Sequence, residues 1–298
     1  MKKYYKGRKR RLEEYSVLMS VYGKEKSLFL RQAVDSMLAQ TVPPREVVLV
    51  CDGPLGEDLD RVIDAFQKKE GERFQVVRLP ENRGLALALN AGLEHCSCSW
   101  IARMDSDDIA LSDRMEKQFK LAEKTSATLL SGTIAEFGGA PDEETIQKTI
   151  EKILLNKDEL SQRQLPGEDE KIRKFSRSRN PMNHPAVLMK KEDVIRAGKY
   201  DAKYPYFEDY DLWLRMLKCG VKASNVQDLI LLMRADEGLY DRRSGKEYQG
   251  YMKAFRKRML REKDCNRMEY MTSVITRSMV AAAPSGLRRK FYGTVLRK

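Results

Sequence analysis

The amino-acid sequence predicts an α/β fold built on a doubly wound, mostly parallel sheet. Short apolar runs rich in β-branched residues alternate with segments that repeat apolar residues at helical spacing. Right-handed crossovers between strands of this kind place them parallel in one sheet. Polar residues follow directly after several of the apolar runs, which is where open α/β sheets bind their ligands.

The first half of the chain carries this pattern most clearly. Four short apolar strands are predicted, at 15–21, 46–51, 74–79 and 99–104. Helices are predicted between them, at 27–40, at 59–68 and at 85–95. Pro43 and Pro44 end the first of these helices.

The second half of the chain is predicted in less detail. The expected elements are helices at 114–125 and 168–178, strands near 129–131 and at 186–189, and a helix that opens within 204–213 and runs to Lys218. Residues 138–142 are predicted to form a turn or mobile loop. Two further helices are expected at about 248–260 and 268–282.

Length and composition favour one large soluble domain with an appendage. The chain has 298 residues, of which 42% are hydrophobic and 34% charged. No apolar run approaches the ~18–20 residues of a membrane-spanning helix, and the basic N-terminus lacks the apolar core of a secretory signal. Five scattered cysteines and only two histidines argue against zinc and imidazole-rich metal sites, and favour a reducing cytoplasm.

The net charge of +12 sits at the two ends of the chain. Residues 1–11 carry seven Lys/Arg and no acid, and residues 251–298 carry thirteen Lys/Arg against three acids, which leaves the part between them acidic. Charge alone suits an anionic membrane surface and nucleic acid equally, and solvated tails without a partner are the alternative. The expected organisation is a basic N-terminal tail (1–13), a central domain (14–235) and a basic helical extension (236–298).

The run Asp105-Ser106-Asp107-Asp108 follows the fourth predicted strand. Carboxylates at the end of a buried strand repel one another and lose hydration, so a divalent cation such as Mn²⁺ or Mg²⁺ would stabilise them. In a strand-like stretch, Asp105 and Asp107 lie on one face and Ser106 on the other. A solvated turn that caps the following helix is the alternative, and a bare Asp-x-Asp does not exclude it.

Three loops carry charged residues at the predicted ligand-binding edge. Asp52 follows the second strand, Arg83 precedes the third helix, and the acidic run follows the fourth strand. The carboxylate of Asp52, the guanidinium of Arg83 and an acidic cluster suited to a metal would therefore meet in one crevice. This combination suggests a nucleoside-diphosphate site. The phosphate-binding patterns G-x-x-x-x-G-K-[ST] and G-x-G-x-x-G are both missing from the sequence.

A second acidic group, Glu208-Asp209-Tyr210-Asp211, opens a predicted helix in an aromatic setting. Acids at a helix N-terminus are stabilised by the helix dipole whether or not they have a function, so a plain cap is the alternative. This group is the second candidate site of the chain.

Taken together, the motifs resemble those of the family 2 glycosyltransferases, inverting enzymes of the GT-A fold. The resemblance covers about residues 15 to 233, and its six pieces appear in the order typical of the family. They are Ser-Val-Tyr-Gly-Lys-Glu (20–25), Val-Cys-Asp-Gly (50–53), Glu-Asn-Arg-Gly-Leu (81–85), Ala-Arg-Met-Asp-Ser-Asp-Asp (102–108), Asn-His-Pro-Ala-Val (183–187) and Glu-Asp-Tyr-Asp-Leu-Trp (208–213). The subgroup that the chain resembles most adds sugars in bacterial exopolysaccharide, capsule or O-antigen assembly.

The resemblance implies which residues contact the nucleotide. Val21 and Tyr22 would lie along the nucleoside, Asp52 would bind the base, and Arg83 would approach the base or the diphosphate. Many relatives carry Asp-Asp-Gly-Ser after the second strand, whereas this chain has Cys51-Asp52-Gly53-Pro54. The altered neighbours of Asp52 leave the base open, and UDP is the default donor nucleotide.

The resemblance also implies the residues at the reacting centre. Asp105 and Asp107 would occupy the site of the Mn²⁺ or Mg²⁺ ion and the donor sugar, with Ser106 among the donor-binding residues. Asp209 would be the catalytic base, with Glu208 beside it. The metal would stabilise the departing diphosphate, and an acceptor hydroxyl that attacks the opposite face would invert the anomeric carbon.

The acceptor side is predicted with alternatives. His184 is a candidate for the acceptor cleft or a structural hydrogen-bonding residue, and Trp213 is a candidate for sugar stacking or, on helical spacing, a core residue. Residues 284–298 combine apolar and basic side chains as membrane-interface helices do, or else pack back on the domain. A lipid-linked acceptor would favour the membrane.

The function expected from these features is metal-dependent, inverting transfer of a sugar from a nucleoside-diphosphate sugar to a hydroxyl of a glycan or lipid-linked saccharide. The expected location is the cytoplasm, at the inner face of the cell membrane if the basic tail binds anionic lipid. A sugar-phosphate nucleotidyltransferase would be expected to show a Gly-rich loop that contains an arginine directly after the first strand, where this chain has Tyr22-Gly23-Lys24-Glu25. A non-catalytic binding protein would be expected to lose one acidic group, and no nucleic-acid partner is expected.

Overall fold

A computed structural model describes residues 13–138, 146–156, 160–235 and 245–282. The basic tail up to residue 12, the predicted loop at 139–142 and the basic segment 284–298 lie outside the described residues. Among the residues that the structure describes, no helix is both long and apolar enough to cross a lipid bilayer.

The first half of the chain forms a parallel half-sheet. Its strands are β1 (Tyr15–Val21), β2 (Glu46–Cys51), β3 (Phe74–Arg78) and β4 (Trp100–Met104), and its helices are α1 (Ser27–Leu38), α2 (Glu57–Glu70) and α3 (Leu85–His95). The strands lie in the order β3-β2-β1-β4, and every neighbouring pair is parallel. The predicted alternation of strands and helices is confirmed here, because apolar runs and helical periodicity are both local features of a sequence.

The second half of the sheet is mixed. It contains β5 (Ile109–Ala110), β6 (Leu129–Phe137), β7 (Ser161–Arg163), β8 (Leu188–Lys190) and β9 (Ala223–Arg234). From β4 the sheet continues through β8, β6 and β9 to β5, with β7 paired to β6. β8 is antiparallel to β4 and β6, whereas the long strands β6 and β9 are parallel. The predicted α/β class with a mostly parallel sheet is therefore confirmed, with an antiparallel strand near its centre.

Three of these strands, β5, β7 and β9, are not predicted by the sequence pattern. β5 and β7 have two and three residues, which is too short for a periodic pattern. β9 begins with polar residues and becomes apolar only around 229–233. Its pairing with β6 extends β6 well past the predicted 129–131. The strand predicted at 186–189 begins at Leu188, because His184–Ala186 forms a 3₁₀ turn that contains Pro185.

Helices cover both faces of the sheet. The remaining ones are α4 (Arg114–Thr125), α5 (Ile146–Leu155), α6 (Asp169–Ser176), α7 (Lys191–Arg196), α8 (Glu208–Lys218), α9 (Lys246–Arg261) and α10 (Arg267–Ala282). Val17 and Met19 of β1 belong to the apolar core that also contains residues of α1, α2 and α4. Leu18, which points to the opposite face, belongs to the core with α3, α7 and α8.

The first helix of the C-terminal extension packs on the domain. Phe255 of α9 is fully buried, and its ring stacks on Phe207 with a centroid distance of 5.0 Å. Arg258 of α9 forms an ion pair with Asp211 of α8 at 3.0 Å, and both side chains are buried. Arg215 donates a hydrogen bond from Nε to the other carboxylate oxygen of Asp211, at 2.6 Å. α9 is therefore fixed to the helix that begins with the second acidic group.

A glycine lets α3 approach the sheet closely. A Cβ atom on Gly92 would meet Leu18 and lie 2.6 Å from Val50 Cγ2, whereas one on Gly250 of α9 would meet open space. Both glycines lie inside helices, where alanine is favoured by about 1 kcal/mol. We expect Gly250→Ala to raise the free energy of unfolding by up to about 1 kcal/mol. Gly92→Ala should lower it, because overpacking a core costs about 1–3 kcal/mol.

Urea unfolding of both variants measures the difference directly. Gly250→Ala is the matched control, since the two substitutions share the gain in helix propensity. Equal stabilisation by both substitutions would show that α3 does not depend on the close approach at Gly92.

Candidate active site

Three carboxylates lie together at the carboxyl end of β4. Oxygen atoms of Asp105, Asp107 and Asp108 all lie within 4.8 Å of one another. The sequence pattern assigns the metal to the first two residues only, and the structure adds Asp108. Hard divalent cations prefer oxygen ligands, so these three side chains fit a Mn²⁺ or Mg²⁺ ion.

The electrostatics of this cluster indicate a need for positive charge. Burial, with the charges of Asp105 and Glu25, raises the pKa of Asp107 to about 7. Burial and the charge of Asp107 raise the pKa of Asp108 well above its usual range. Asp108 accepts a hydrogen bond from the backbone N–H of Arg234 at Oδ1 (2.8 Å), while its buried Oδ2 has no partner within the described residues. A bound cation would supply the missing interaction and favour the ionised carboxylates.

Ser106 and Arg234 form part of the wall around the cluster. The Ser106 hydroxyl is buried and donates to Glu25 Oε2 at 2.8 Å. The guanidinium of Arg234, at the end of β9, lies 3.8 Å from the ring centroid of Phe29 and donates from Nε to the carbonyl of Asp107. Arg234 is a site residue that the sequence pattern misses, because no motif links it to residues more than a hundred positions away.

Arg103 is the second positively charged site residue that the sequence pattern does not predict. It lies within β4, is almost fully buried, and pairs with Asp105. Its Nε and Nη1 atoms have no hydrogen-bond partner in the part of the chain that the structure describes. Its charge lowers the pKa of both Glu208 and Asp209, against the larger effect of burial. An arginine inside an otherwise apolar strand is the pattern that would have indicated it.

The predicted nucleotide-binding residues meet at the ends of β1 and β2. Asp52 is buried and accepts hydrogen bonds from the backbone N–H groups of Arg83 (2.8 Å) and Gly84 (3.0 Å), so it holds the start of α3. The side chain of Arg83 is exposed. Val21 is buried and accepts a hydrogen bond from the Asp52 N–H through its carbonyl, while the Tyr22 ring is 44% exposed. Their contacts with a nucleotide stay predictions.

The second acidic group begins α8. Asp209 accepts hydrogen bonds from the backbone N–H of Tyr210 at Oδ1 (2.7 Å) and from the side-chain amide of Asn180 at Oδ2 (2.6 Å). Burial raises its pKa above the usual range for aspartate. Burial, with the neighbouring charge of Asp209, raises the pKa of Glu208 to about 7. Glu208 Oε2 is buried and has no hydrogen-bond partner within the described ranges. Glu208 is thus placed to bind a proton near neutral pH, and Asp209 binds a proton more readily than an exposed aspartate does.

The two acceptor-side candidates differ in their surroundings. Trp213 has no exposed surface and packs in the core beside α3 and α7, so it cannot stack on a sugar, and its assignment to the acceptor side is corrected to a core role. His184 is only partly buried, and its Nε2 lies 3.0 Å from the Tyr200 hydroxyl. Burial and the charge of Arg103 lower the pKa of His184 well below its usual range, so the ring is neutral. A contact of His184 with an acceptor stays a prediction.

Comparison with known proteins identifies the family. The sequence profile described as "Glycosyl transferase family 2" matches residues 16–191, more than half of the chain. The chain belongs to this family. As a family 2 glycosyltransferase it is an enzyme, and the resemblance found in its motifs is confirmed.

Several curated glycosyltransferases are similar to this chain over most of their length. The amylovoran biosynthesis glycosyltransferase AmsE of Erwinia amylovora is 38% identical over 235 residues, which cover 78% of this chain and 81% of the relative. The UDP-Gal:alpha-D-GlcNAc-diphosphoundecaprenol beta-1,3-galactosyltransferase of Escherichia coli is 32% identical over 286 residues. These residues cover 96% of this chain and 97% of the relative. An uncharacterised glycosyltransferase of Haemophilus influenzae is 38% identical over 233 residues, which cover 78% of this chain and 80% of the relative.

Solved structures of two distant glycosyltransferases share the fold. The match to S. aureus TarS has a TM-score of 0.58 at 13% sequence identity and covers 95% of this chain and 46% of TarS. The match to the Pyrobaculum calidifontis mannosyltransferase PcManGT, solved with GDP-Man and Mn²⁺, has a TM-score of 0.58 at 17% sequence identity. It covers 83% of this chain and 64% of PcManGT. These likenesses confirm the GT-A fold of this family 2 enzyme.

The Arg103 charge should control the titration of Glu208. A nearby cation favours the ionised carboxylate, so its removal raises the pKa. We expect the Glu208 carboxyl to titrate near pH 7 in the native enzyme, at higher pH in Arg103→Met, and near the native value in Arg103→Lys, which keeps the charge. ¹³C NMR of glutamate carboxyls, assigned with Glu208→Gln, measures this. An unchanged midpoint in Arg103→Met would exclude the electrostatic link.

Proposed function

We propose that this enzyme transfers a sugar from a nucleoside-diphosphate sugar to a hydroxyl of a saccharide acceptor, with a divalent cation in the donor site and with inversion at the anomeric carbon. The observation that carries the proposal is the presence of two separate carboxylate groups in a family 2 glycosyltransferase. One group is the oxygen cluster of Asp105, Asp107 and Asp108, and the other is Glu208 with Asp209. Each group suits one half of the reaction.

The first group belongs to the donor half. Asp105, Asp107 and Asp108 would hold Mn²⁺ or Mg²⁺, which as a Lewis acid stabilises negative charge on a departing diphosphate. Asp52 is proposed to bind the nucleotide base, and the exposed Tyr22 ring, which follows Val21 in the chain, is proposed to lie along the nucleoside; the backbone N–H of Asp52 donates to the Val21 carbonyl. UDP is the default, supported by the UDP-Gal and UDP-GlcNAc named for the E. coli relative and a TarS complex, although PcManGT was solved with GDP-Man.

The second group belongs to the acceptor half. Asp209 takes the proton of the attacking hydroxyl as general base. The amide of Asn180 and the backbone N–H of Tyr210 fix the orientation of its carboxylate. Glu208 lies beside it with a pKa of about 7, so it is an available proton acceptor as well. Attack from the face opposite the diphosphate inverts the anomeric carbon without a covalent enzyme intermediate.

The acceptor is proposed to be a lipid-linked saccharide in the synthesis of a bacterial cell-surface polysaccharide. The curated relatives support this, because one is named for amylovoran biosynthesis, one for a diphosphoundecaprenol-linked substrate, and one for O-antigen biosynthesis. The enzyme would then work in the cytoplasm at the inner face of the membrane. The basic segment 284–298 is proposed to contact anionic lipid there.

Chelation should abolish nucleotide-sugar hydrolysis and transfer, since the donor diphosphate would lose the charge that binds it.

Asp107→Asn should weaken nucleotide binding in Mn²⁺ at least ~10-fold, or about 1.4 kcal/mol. Calorimetric titration with UDP, GDP and dTDP sugars measures the affinity. Asp58→Asn is the control, because Asp58 is exposed on α2 and pairs with Arg61 of the same helix. Full activity in excess chelator would exclude the metal-dependent mechanism.

Asp209→Asn should separate donor binding from chemistry. A general base acts only when the hydroxyl is deprotonated, so donor affinity should stay near the native value. Turnover should fall at least ~100-fold, the usual scale for the loss of a general base. Glu208→Gln is the comparison, and we expect it to reduce turnover less. A larger loss in Glu208→Gln would assign the base to Glu208, and a parallel loss of donor affinity would place Asp209 in the donor pocket.

A further inference from the structure

The last described helix, α10, exposes an apolar face. Met268, Met271 and Ile275 are 78%, 56% and 52% exposed, and their spacing of three and four residues puts them on one side of the helix. Seven large apolar side chains are exposed within the described residues, and three of them share this face. Such clustering differs from the isolated exposed side chains that are normal on a protein surface.

The other side of α10 contacts the domain. Tyr270 packs against the aromatic cluster formed by α8 and α9, and Glu269 forms an ion pair with Arg177 at 2.8 and 3.0 Å. The helix is therefore held with its partly buried side towards the domain. Met268, Met271 and Ile275 point away from it, with only the uncharged Thr272 exposed between them.

We propose that this face of α10 is a docking surface for an anionic lipid bilayer. Residues 251–298 carry thirteen Lys/Arg against three acids, so the apolar face lies in a strongly basic part of the chain. An apolar helix face within a basic segment is the combination that inserts into the interface of an anionic membrane. A second copy of the chain is disfavoured as the partner, because two such segments repel each other.

The position of α10 suits an acceptor that is anchored in the membrane. Arg177, which holds α10 through Glu269, lies three positions before Asn180, and Asn180 donates to the acceptor-side carboxylate of Asp209 at 2.6 Å. α9, which precedes α10, packs on the helix that begins with Glu208 and Asp209. The docking surface thus lies on the acceptor half of the enzyme. This orientation rests on the proposed function, whereas binding to lipid does not.

Flotation of the full chain with vesicles tests the docking surface. Vesicles of phosphatidylglycerol and phosphatidylethanolamine should carry the enzyme, vesicles of phosphatidylcholine should carry little, and high salt should weaken the binding. The variant Met268→Gln/Met271→Gln/Ile275→Gln keeps the net charge and the helix, and should reduce the partition coefficient at least ~10-fold. The control Leu155→Gln/Ile195→Gln removes two exposed apolar side chains from α5 and α7 and should bind as the native enzyme does.

Three results would overturn the inference. Native-like flotation of the α10 variant would assign lipid binding elsewhere, and equal loss in the control would remove the specificity for α10. A dimer in light scattering that the α10 variant abolishes would make a second copy the occupant of this face. Nucleotide-sugar affinity in Mn²⁺ is measured on the same samples. A native enzyme that binds the donor but does not float with anionic vesicles contradicts only this inference, whereas a native enzyme that does not bind the donor contradicts the proposed function.

Discussion

The concentration of negative charge at the end of β4 is the constraint on which the active site depends. Asp105, Asp107 and Asp108 lie within 4.8 Å of one another, and burial makes their repulsion costly. Two arginines offset part of this charge: Arg103 pairs with Asp105, and Arg234 donates to the carbonyl of Asp107. Neither places a guanidinium hydrogen bond on the buried Oδ2 of Asp108 in the described structure. A divalent cation would complete the site, and its removal should leave the carboxylates partly protonated.

The fold keeps the two acidic groups on different supports. The first acidic group follows β4, the strand that joins the parallel half-sheet to the mixed half, and helices cover both faces of the sheet there. The second acidic group begins α8, which is held by the C-terminal helix α9 through a buried ion pair between Arg258 and Asp211. Arg103 is the electrostatic link between the groups, because its charge acts on Asp105 and on both Glu208 and Asp209. The first helix of the C-terminal extension is therefore part of the support for the second acidic group.

Local features of the sequence were sufficient to predict the parallel half-sheet and both acidic groups. Long-range features were not, because β9 pairs with β6 across about a hundred residues and begins with polar side chains. Arg234 and Arg103 were not predicted as site residues for a related reason. The role of an arginine in a strand can be inferred only when its neighbours in space are known. Helical spacing had favoured a core position for Trp213, and its complete burial confirms that alternative.

The position of the cation tests the central claim most directly. Crystals grown with Mn²⁺ and UDP can be measured at the manganese absorption edge, where an anomalous difference map locates the ion without reference to activity. We predict one strong peak among the carboxylates of Asp105, Asp107 and Asp108, in contact with the diphosphate. A peak at Glu208 and Asp209 instead, or a bound nucleotide with no peak at the end of β4, would contradict the proposed separation of donor and acceptor sites.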